Sequence, residues 1–243
     1  MSKLRIALVA EGPTDYEVIQ AALSALLPVS FVLTQLQPEP TLPDLGTGWG
    51  GVLKWCEATG NRHTGALDLD PTLTGFDLLI IHLDADVAHK QYSDYGPDLQ
   101  AKALTRNWPA MPCNLPCPPA SDTCARLELL LSNWLNPAIP AQRTIWCVPA
   151  QSTGAWLAAA VLPQDHALLV DLECNLQAED RLGSTAVIKA HRIKKQTLAY
   201  RTRAPAVKNN WGVVKQICPQ ATQFEQVALA AFARLPPAAP PPP

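Results

Sequence analysis

LRIALVAEGPTDYEVI, residues 4–19, is the stretch that decides how this chain of 243 residues is interpreted. The run LRIALVA is mostly apolar and short enough for a buried strand, and EGPTD then interrupts it with an acid, a glycine and a proline. Thr14 or Asp15 can cap the segment that follows, in which apolar residues recur at helical spacing. The stretch therefore predicts a strand, a turn and a helix, with Glu11 at the carboxyl end of the strand.

The strongest strand signal is FDLLIIHL, residues 76–83, whose continuous apolar character predicts a central strand of a parallel sheet. Further strands are predicted at 29–37 and 143–150, and helices at 52–60, 123–135, 151–162 and 222–235. PEPTLPDLGTGWGG, residues 38–51, is predicted as a loop. Strands that alternate with helices indicate an α/β fold with a mostly parallel central sheet flanked by helices.

The composition and its changes along the chain indicate the domain organisation. Apolar residues make up 48% of the chain, which is enough for a sizeable core. We expect an N-terminal domain over 1–162 with a proline-rich loop insertion at 88–122, a basic α+β extension over 163–235 and a disordered proline-rich tail at 236–243. No apolar run is long enough to span a membrane and no secretion signal is visible, so we expect a cytoplasmic protein.

The seven cysteines are scattered and odd in number, so most are expected to be reduced thiols. Cys113, Cys117 and Cys124 lie close together in the sequence, and three thiolates with a histidine can hold zinc. Their spacing lacks a second paired knuckle, which favours a proline-rich loop with small apolar residues instead.

Positive charge is concentrated in the C-terminal third. The segment 181–224 contains nine of the 19 Lys and Arg residues and none of the 21 Asp and Glu residues. This asymmetry favours a polyanionic partner that the basic part holds and the acidic part acts on. The alternative is a solvated basic face.

Three carboxylates follow predicted strands. Glu11 follows the first strand, and Asp84 and Asp86 follow the strand at 76–83. Ligands of open α/β sheets bind beyond the carboxyl ends of the strands, so these side chains can converge, as a hard divalent cation requires. Asp15 lies four residues after Glu11 and can cap the helix or reach the metal. The alternative for all of them is an ordinary turn or helix-entry residue.

The motifs EGPTD and LIIHLDADV resemble those of the Toprim domain, which topoisomerases, bacterial primases and the OLD (overcoming-lysogenization-defect) nucleases share. The chain is most similar to small Toprim-like proteins of bacterial phage-defence systems. The resemblance covers residues 4–90 and, more loosely, 150–162, and it matches Glu11, Asp15, Asp84 and Asp86 to the acidic positions of the motif. It implies a Rossmannoid fold and an Mg²⁺- or Mn²⁺-dependent nuclease acting on DNA or RNA, tRNA included, in anti-phage defence. It also implies a homodimer.

OLD-type nucleases also carry a Ser-x-Glu motif at a later helix entry and a lysine near the scissile phosphate. PAQSTGAW resembles the Ser-x-Glu region, with Ser152 in the matching place and Gly154 where a glutamate is expected. Glycine in this place leaves three alternatives open: another acid substitutes for the glutamate, the site works with a single ion, or the activity is attenuated. The lysine has no match by spacing; Lys189, Lys194 and Lys195 are candidates, with Lys195 first.

The basic residues that we expect to hold a nucleic-acid backbone are Lys189, Arg192, Lys194, Arg201 and Arg203. Tyr200 or Trp211 can stack on an unpaired base, although such aromatic residues more often belong to a core.

Two other functional classes stay open. The chain can be a Toprim-like interaction subunit, inactive alone and partnered with an ATPase; since it contains no P-loop pattern, ATP use requires another chain. A D-x-D glycosyltransferase is disfavoured because it gives Glu11 no role.

Overall fold

A computed structural model, which describes residues 3–39, 45–185 and 187–235, contains a four-stranded parallel sheet. The strands in the described ranges are β1 (Leu4–Val9), β2 (Phe31–Gln37), β3 (Gly65–Ala66), β4 (Leu78–His82), β5 (Ala138–Ile139) and β6 (Thr144–Cys147). The main sheet has the order β2-β1-β4-β6, and β3 pairs separately with β5. The prediction that β4 is a central strand is confirmed.

The helices in the described ranges are α1 (Pro13–Leu26), α2 (Gly48–Arg62), α3 (Pro97–Thr105), α4 (Ser121–Leu135), α5 (Thr153–Val161), α6 (Ala178–Gly183), α7 (Thr197–Arg203), α8 (Pro205–Asn209), α9 (Trp211–Ile217) and α10 (Pro219–Ala233). The predicted helices after β1, at 123–135, at 151–162 and at 222–235 are confirmed as α1, α4, α5 and α10. Short 3₁₀ turns connect several of these elements, including Ala85–His89 directly after β4.

The sheet separates two apolar cores because its side chains alternate between its faces. Ile6 and Leu8 of β1 pack into the core that contains α1, α5 and the helices from α6 to α10. Ala7 and Val9 pack into the other core, which contains α2, α3 and α4. The predicted α/β class with a parallel sheet flanked by helices is therefore confirmed.

Helix α2 is longer than predicted at both ends. Residues 48–51, predicted as loop, form its first turn, and Gly60, predicted to stop it, lies inside it. A Cβ at Gly60 would lie 2.3 Å from the carbonyl oxygen of Leu135, so glycine permits close packing against the end of α4. Residues 40–44 of the predicted loop lie outside the described residues.

The segment 88–122, predicted as a loop, contains helix α3. Gly96, with a φ of 138°, and Pro97 at the first helical position start this helix. Leu99 and Ala103, four residues apart, bury its inner face.

The prediction of strand in the basic segment, and of an α+β extension, is wrong, whereas the predicted loop is present between α6 and α7. The described residues of 163–235 form helices, 3₁₀ turns and loops and contain no strand. The reason is an apolar pattern at spacings of three and four residues: Tyr200, Ala204, Val207, Trp211 and Val214 are all buried. These residues pack α7, α8 and α9 into the core of α1 and α5. The tail at 236–243 lies outside the described residues.

The zinc alternative does not form, because Cys117 is in a disulfide with Cys174. The expectation that most cysteines are reduced thiols is confirmed, since Cys56, Cys113, Cys124, Cys147 and Cys218 are free and all of these except Cys113 are buried. None of the helices in the described ranges is long and apolar enough to cross a membrane.

Candidate metal centre

Glu11, His82 and Asp84 meet beyond the carboxyl ends of β1 and β4. These strands are adjacent and parallel, with Val9 paired to Ile81, so the residues that follow them emerge side by side. Glu11 Oε1 accepts a hydrogen bond of 2.8 Å from the Asp84 backbone N–H. One potential ligand atom from each of the three residues lies within 4.8 Å of the other two. Among the described residues, this is the one such group of three or more acidic, histidine or cysteine side chains.

Asp84 is fixed by two further contacts. His82 Nε2 lies 3.0 Å from Asp84 Oδ1, as expected for residues two apart at a strand end, whose side chains point the same way. The Thr153 backbone N–H donates to the same oxygen over 3.2 Å. Thr153 is the first residue of α5, and Ser152, the N-cap of this helix, accepts a hydrogen bond from the Gly154 N–H. The N-terminus of α5 therefore holds Asp84 in place.

Asp15 lies beside this group but is engaged on both oxygens. Its Oδ1 accepts a 2.7 Å hydrogen bond from Thr153 Oγ1, and its Oδ2 accepts a 2.9 Å bond from the Gly12 N–H. The second bond caps α1, and the first ties α1 to α5. Of the two roles that the sequence left open, the structure shows the helix cap.

Asp86 lies in the 3₁₀ turn after β4 and outside the close group. Burial raises the pKa of Asp86, whereas Lys195 and Lys90 act in the opposite direction. Lys195, the first lysine candidate, is thus close enough to influence this carboxylate. Asp84 and Asp15, in turn, contribute to a raised pKa of Lys195, after Glu179 as the largest favourable influence and against burial.

Gly154 faces a carboxylate that the sequence did not indicate. A Cβ at Gly154 would lie 2.8 Å from both Cγ and Oε1 of Glu179, a residue of α6. Glu179 Oε2 is 2.5 Å from Lys195 Nζ, and the Tyr200 hydroxyl donates to Glu179 Oε1. The side chain of Glu179 therefore occupies space that a side chain at position 154 would need.

Burial and the charges of neighbouring side chains shift the pKa values of Glu11, His82 and Asp84. Burial, followed by repulsion from Asp84, raises the pKa of Glu11. Burial and then Asp15 raise the pKa of Asp84 to about 7, against the influence of His82. Burial would lower the pKa of His82, but Asp15, Asp84 and Glu11 outweigh it and raise that pKa to about 9. A cation placed among these carboxylates would relieve their repulsion.

The donor set of Glu11, His82 and Asp84 could hold a metal ion. His82 Nε2 lies at hydrogen-bond distance from Asp84 Oδ1, so His82 would bind an ion in its neutral form after giving up this hydrogen bond. Glu11 supplies a second carboxylate. The imidazole in this set is an unfavourable ligand for Mg²⁺, which strongly prefers oxygen ligands.

The predicted backbone-binding residues have different surroundings. Lys189 and Lys194 are exposed. Arg201 forms a 2.8 Å ion pair with Glu17 of α1. Arg192 donates to the backbone carbonyl of Val187, and Arg203 donates to that of Ala190.

Neither candidate stacking residue is available to a base. Tyr200 is fully buried, and its hydroxyl donates a hydrogen bond to Glu179. Trp211 is buried edge-on against Trp156, and its indole N–H donates to Glu225. Both belong to the core, the alternative that the sequence left open.

Sequence reasoning missed His82 and Glu179. A signal for His82 was present, since HLD places it two residues before Asp84 on the same side of the strand end. Glu179 is 95 residues beyond Asp84 in the sequence and carries no local motif. Its position depends on the packing of α6 against α5.

Comparisons of the chain with protein-family models, with curated proteins and with solved structures find no match. The architecture, α/β with a parallel sheet flanked by helices, agrees with a Rossmannoid arrangement. The function of the site therefore follows from the chemistry of its own residues.

Proposed function

We propose that this protein is a Toprim-type, metal-dependent nuclease that hydrolyses phosphodiester bonds of DNA or RNA. One observation carries the proposal: Glu11, His82 and Asp84 bring potential ligand atoms within 4.8 Å of one another beyond the strand ends of a parallel sheet. Ligands of such sheets bind at this edge. The order of the EGPTD and HLDADV motifs, which resembles that of Toprim proteins, supports phosphodiester chemistry and a role as an effector of phage defence.

Glu11, His82 and Asp84 are the residues that hold the ion, with Mn²⁺ preferred over Mg²⁺. A divalent ion held by these residues would supply Lewis acidity toward the phosphate and the attacking water. The Asp84 N–H orients Glu11, and the Thr153 N–H orients Asp84, so the ligands are held before substrate binds. Lys195, beside Asp86 and half-exposed, offers a positive charge to the scissile phosphate. Exposed Lys189 and Lys194 contact the neighbouring backbone.

The experiment is cleavage of plasmid, single-stranded DNA, RNA and tRNA by the purified chain in Mn²⁺ or Mg²⁺. We expect cleavage with Mn²⁺, and a loss of at least about 100-fold in Glu11→Gln, the scale for removing one preorganised group from an active site. Glutamine keeps an oxygen that can accept the Asp84 N–H, so this variant is expected to fold. The matched control is Glu57→Gln, in which the carboxylate lost is a surface partner of Lys102.

Two results would contradict the proposal. One is the absence of cleavage of every substrate in both metals, and the other is cleavage that Glu11→Gln leaves unchanged. Repeating the assay with a co-purifying ATPase would separate an autonomous nuclease from a subunit that requires a partner.

A further inference from the structure

Glu179 reaches the first turn of α5, next to the metal centre, from a distant part of the chain. It lies on α6 in the extension, and its carboxylate rests against Gly154 in the first turn of α5, next to Thr153, which binds Asp84. Any larger residue at position 154 would meet this side chain, since an added Cβ would lie 2.8 Å from its Cγ and Oε1. Glycine at this position therefore permits the approach.

Both oxygens of Glu179 are already engaged. Oε1 accepts the hydroxyl hydrogen of Tyr200, whose ring is fully buried, and Oε2 is 2.5 Å from Lys195 Nζ. The Glu179 side chain is 14% exposed, whereas that of Lys195 is 53% exposed. The buried Tyr200 thus holds Glu179, and Glu179 in turn holds the exposed ammonium group of Lys195 in place.

The ammonium group that Glu179 holds is linked to the metal centre by contacts: Glu179 lies against Gly154, and the N–H of the neighbouring Thr153 donates to Asp84. Asp84 and Asp15 both contribute favourably to the charged state of Lys195 and so to its raised pKa, after the larger effects of burial and Glu179. The ammonium group of Lys195 is therefore a positive charge that the chain itself supplies to these carboxylates.

We propose that Glu179 is a positioning residue that fixes the Lys195 ammonium beside the metal centre as a resident positive charge. This inference rests on the proposed metal site and specifies its ion count. With Glu179 committed to Tyr200 and Lys195, the centre takes one divalent ion at Glu11, His82 and Asp84. The ammonium repels that ion, so it binds more weakly than the carboxylates alone would allow.

The test is a calorimetric titration of the full chain with Mn²⁺ alone. The wild-type protein should bind one ion, and Lys195→Met should bind it about fivefold more tightly because one nearby positive charge is gone. Lys195→Arg, which keeps the charge, should match the wild type within about twofold. Lys102→Met is the control. Lys102 lies on α3, pairs with Glu57 and is about as exposed as Lys195, so this substitution should leave the Mn²⁺ affinity unchanged.

A second arm tests Glu179 itself. Glu179→Gln keeps an acceptor for Tyr200 but releases Lys195, so adding Lys195→Met to this variant should gain less than about half of the tightening seen in the wild-type background. An equal gain in both backgrounds would show that Lys195 acts without Glu179 and would overturn the positioning role.

The remaining outcomes separate the inference from the proposed function. If Glu11→Gln abolishes binding of one Mn²⁺ but Lys195→Met leaves the affinity within about twofold, the metal centre stands and the inference fails. Two equivalent ions in the wild type would also overturn the inference. Absence of Mn²⁺ binding in both the wild type and Lys195→Met would overturn both. Binding that appears only in Lys195→Met would support the resident charge.

Discussion

The two halves of the site are held in different ways. The strand half consists of Glu11, His82 and Asp84, and backbone N–H groups of Asp84 and Thr153 hold its carboxylates. The helix half consists of Glu179, Lys195 and Tyr200, and the contacts that join these three run between side chains. The geometry of the strand half thus follows from the fold, whereas single substitutions can rearrange the helix half. Substitutions in the strand half should therefore act on metal binding itself, whereas substitutions in the helix half should act on the arrangement that adjusts the metal affinity.

The largest effect is expected in the strand half. Asp84→Asn removes one negative charge from the ligand set but keeps an oxygen that can accept the Thr153 N–H. Since even partners outside the ligand shell contribute 10- to 100-fold to metal affinity, we expect Mn²⁺ affinity to fall by at least about 100-fold. Calorimetry with Mn²⁺ measures this change.

Asp98→Asn is the control for this substitution, because Asp98 is an exposed aspartate in the first turn of α3. It should leave Mn²⁺ affinity unchanged. Equal affinities of Asp84→Asn and the wild type would show that Asp84 is not a ligand and that the strand half is held together for structural reasons.

A smaller effect is expected where the two halves touch. Gly154→Ala places a methyl group 2.8 Å from the Glu179 side chain and forces it away from Tyr200 and Lys195. We expect the free energy of unfolding to fall by about 2 kcal/mol, the usual scale for overpacking. Urea denaturation measures it.

Gly212→Ala is the matched control for Gly154→Ala. Both glycines are the second residue of a helix, but nothing lies within 4 Å of a Cβ at Gly212. Alanine there should be neutral or stabilise the protein by up to about 1 kcal/mol through helix propensity. Similar effects of the two substitutions would mean that Glu179 moves away without cost, and that the helix half is not a fixed arrangement.

The strand half could be predicted from sequence because local patterns determine it. An apolar run that ends in an acid predicts both the strand and the edge where that acid lies, and two such runs in adjacent parallel strands bring Glu11 and Asp84 together. The same reasoning applies to His82, two residues before Asp84, but the sequence interpretation considered only carboxylates.

The helix half could not be predicted in the same way. Glu179 lies against Gly154, and Lys195 pairs with Glu179, only because α6, α7 and the loop between them fold back onto α5 and α1. No spacing rule joins such distant residues. The helical character of the basic segment, in contrast, was visible in its apolar spacing at 200, 204, 207, 211 and 214, which the high density of Lys and Arg obscured.

The smallest expected effect isolates the buried end of the helix half. Tyr200→Phe keeps the buried ring but removes the hydroxyl that donates to Glu179. The free energy of unfolding should fall by about 1 kcal/mol, since a hydrogen bond to a carboxylate is lost while Lys195 still pairs with it. Urea denaturation measures this change as a shift in midpoint at constant slope.

Tyr16→Phe tests whether that loss belongs to the helix half. The Tyr16 hydroxyl donates to the Leu33 carbonyl over 3.3 Å at a half-buried position, so its removal should cost less than about 0.5 kcal/mol. If Tyr200→Phe is no more destabilising than Tyr16→Phe, the hydroxyl does not hold Glu179, and the Lys195 ion pair alone would have to fix it. In that case the helix half would be as mobile as its half-exposed lysine, and only the strand half would have a geometry set before metal binds.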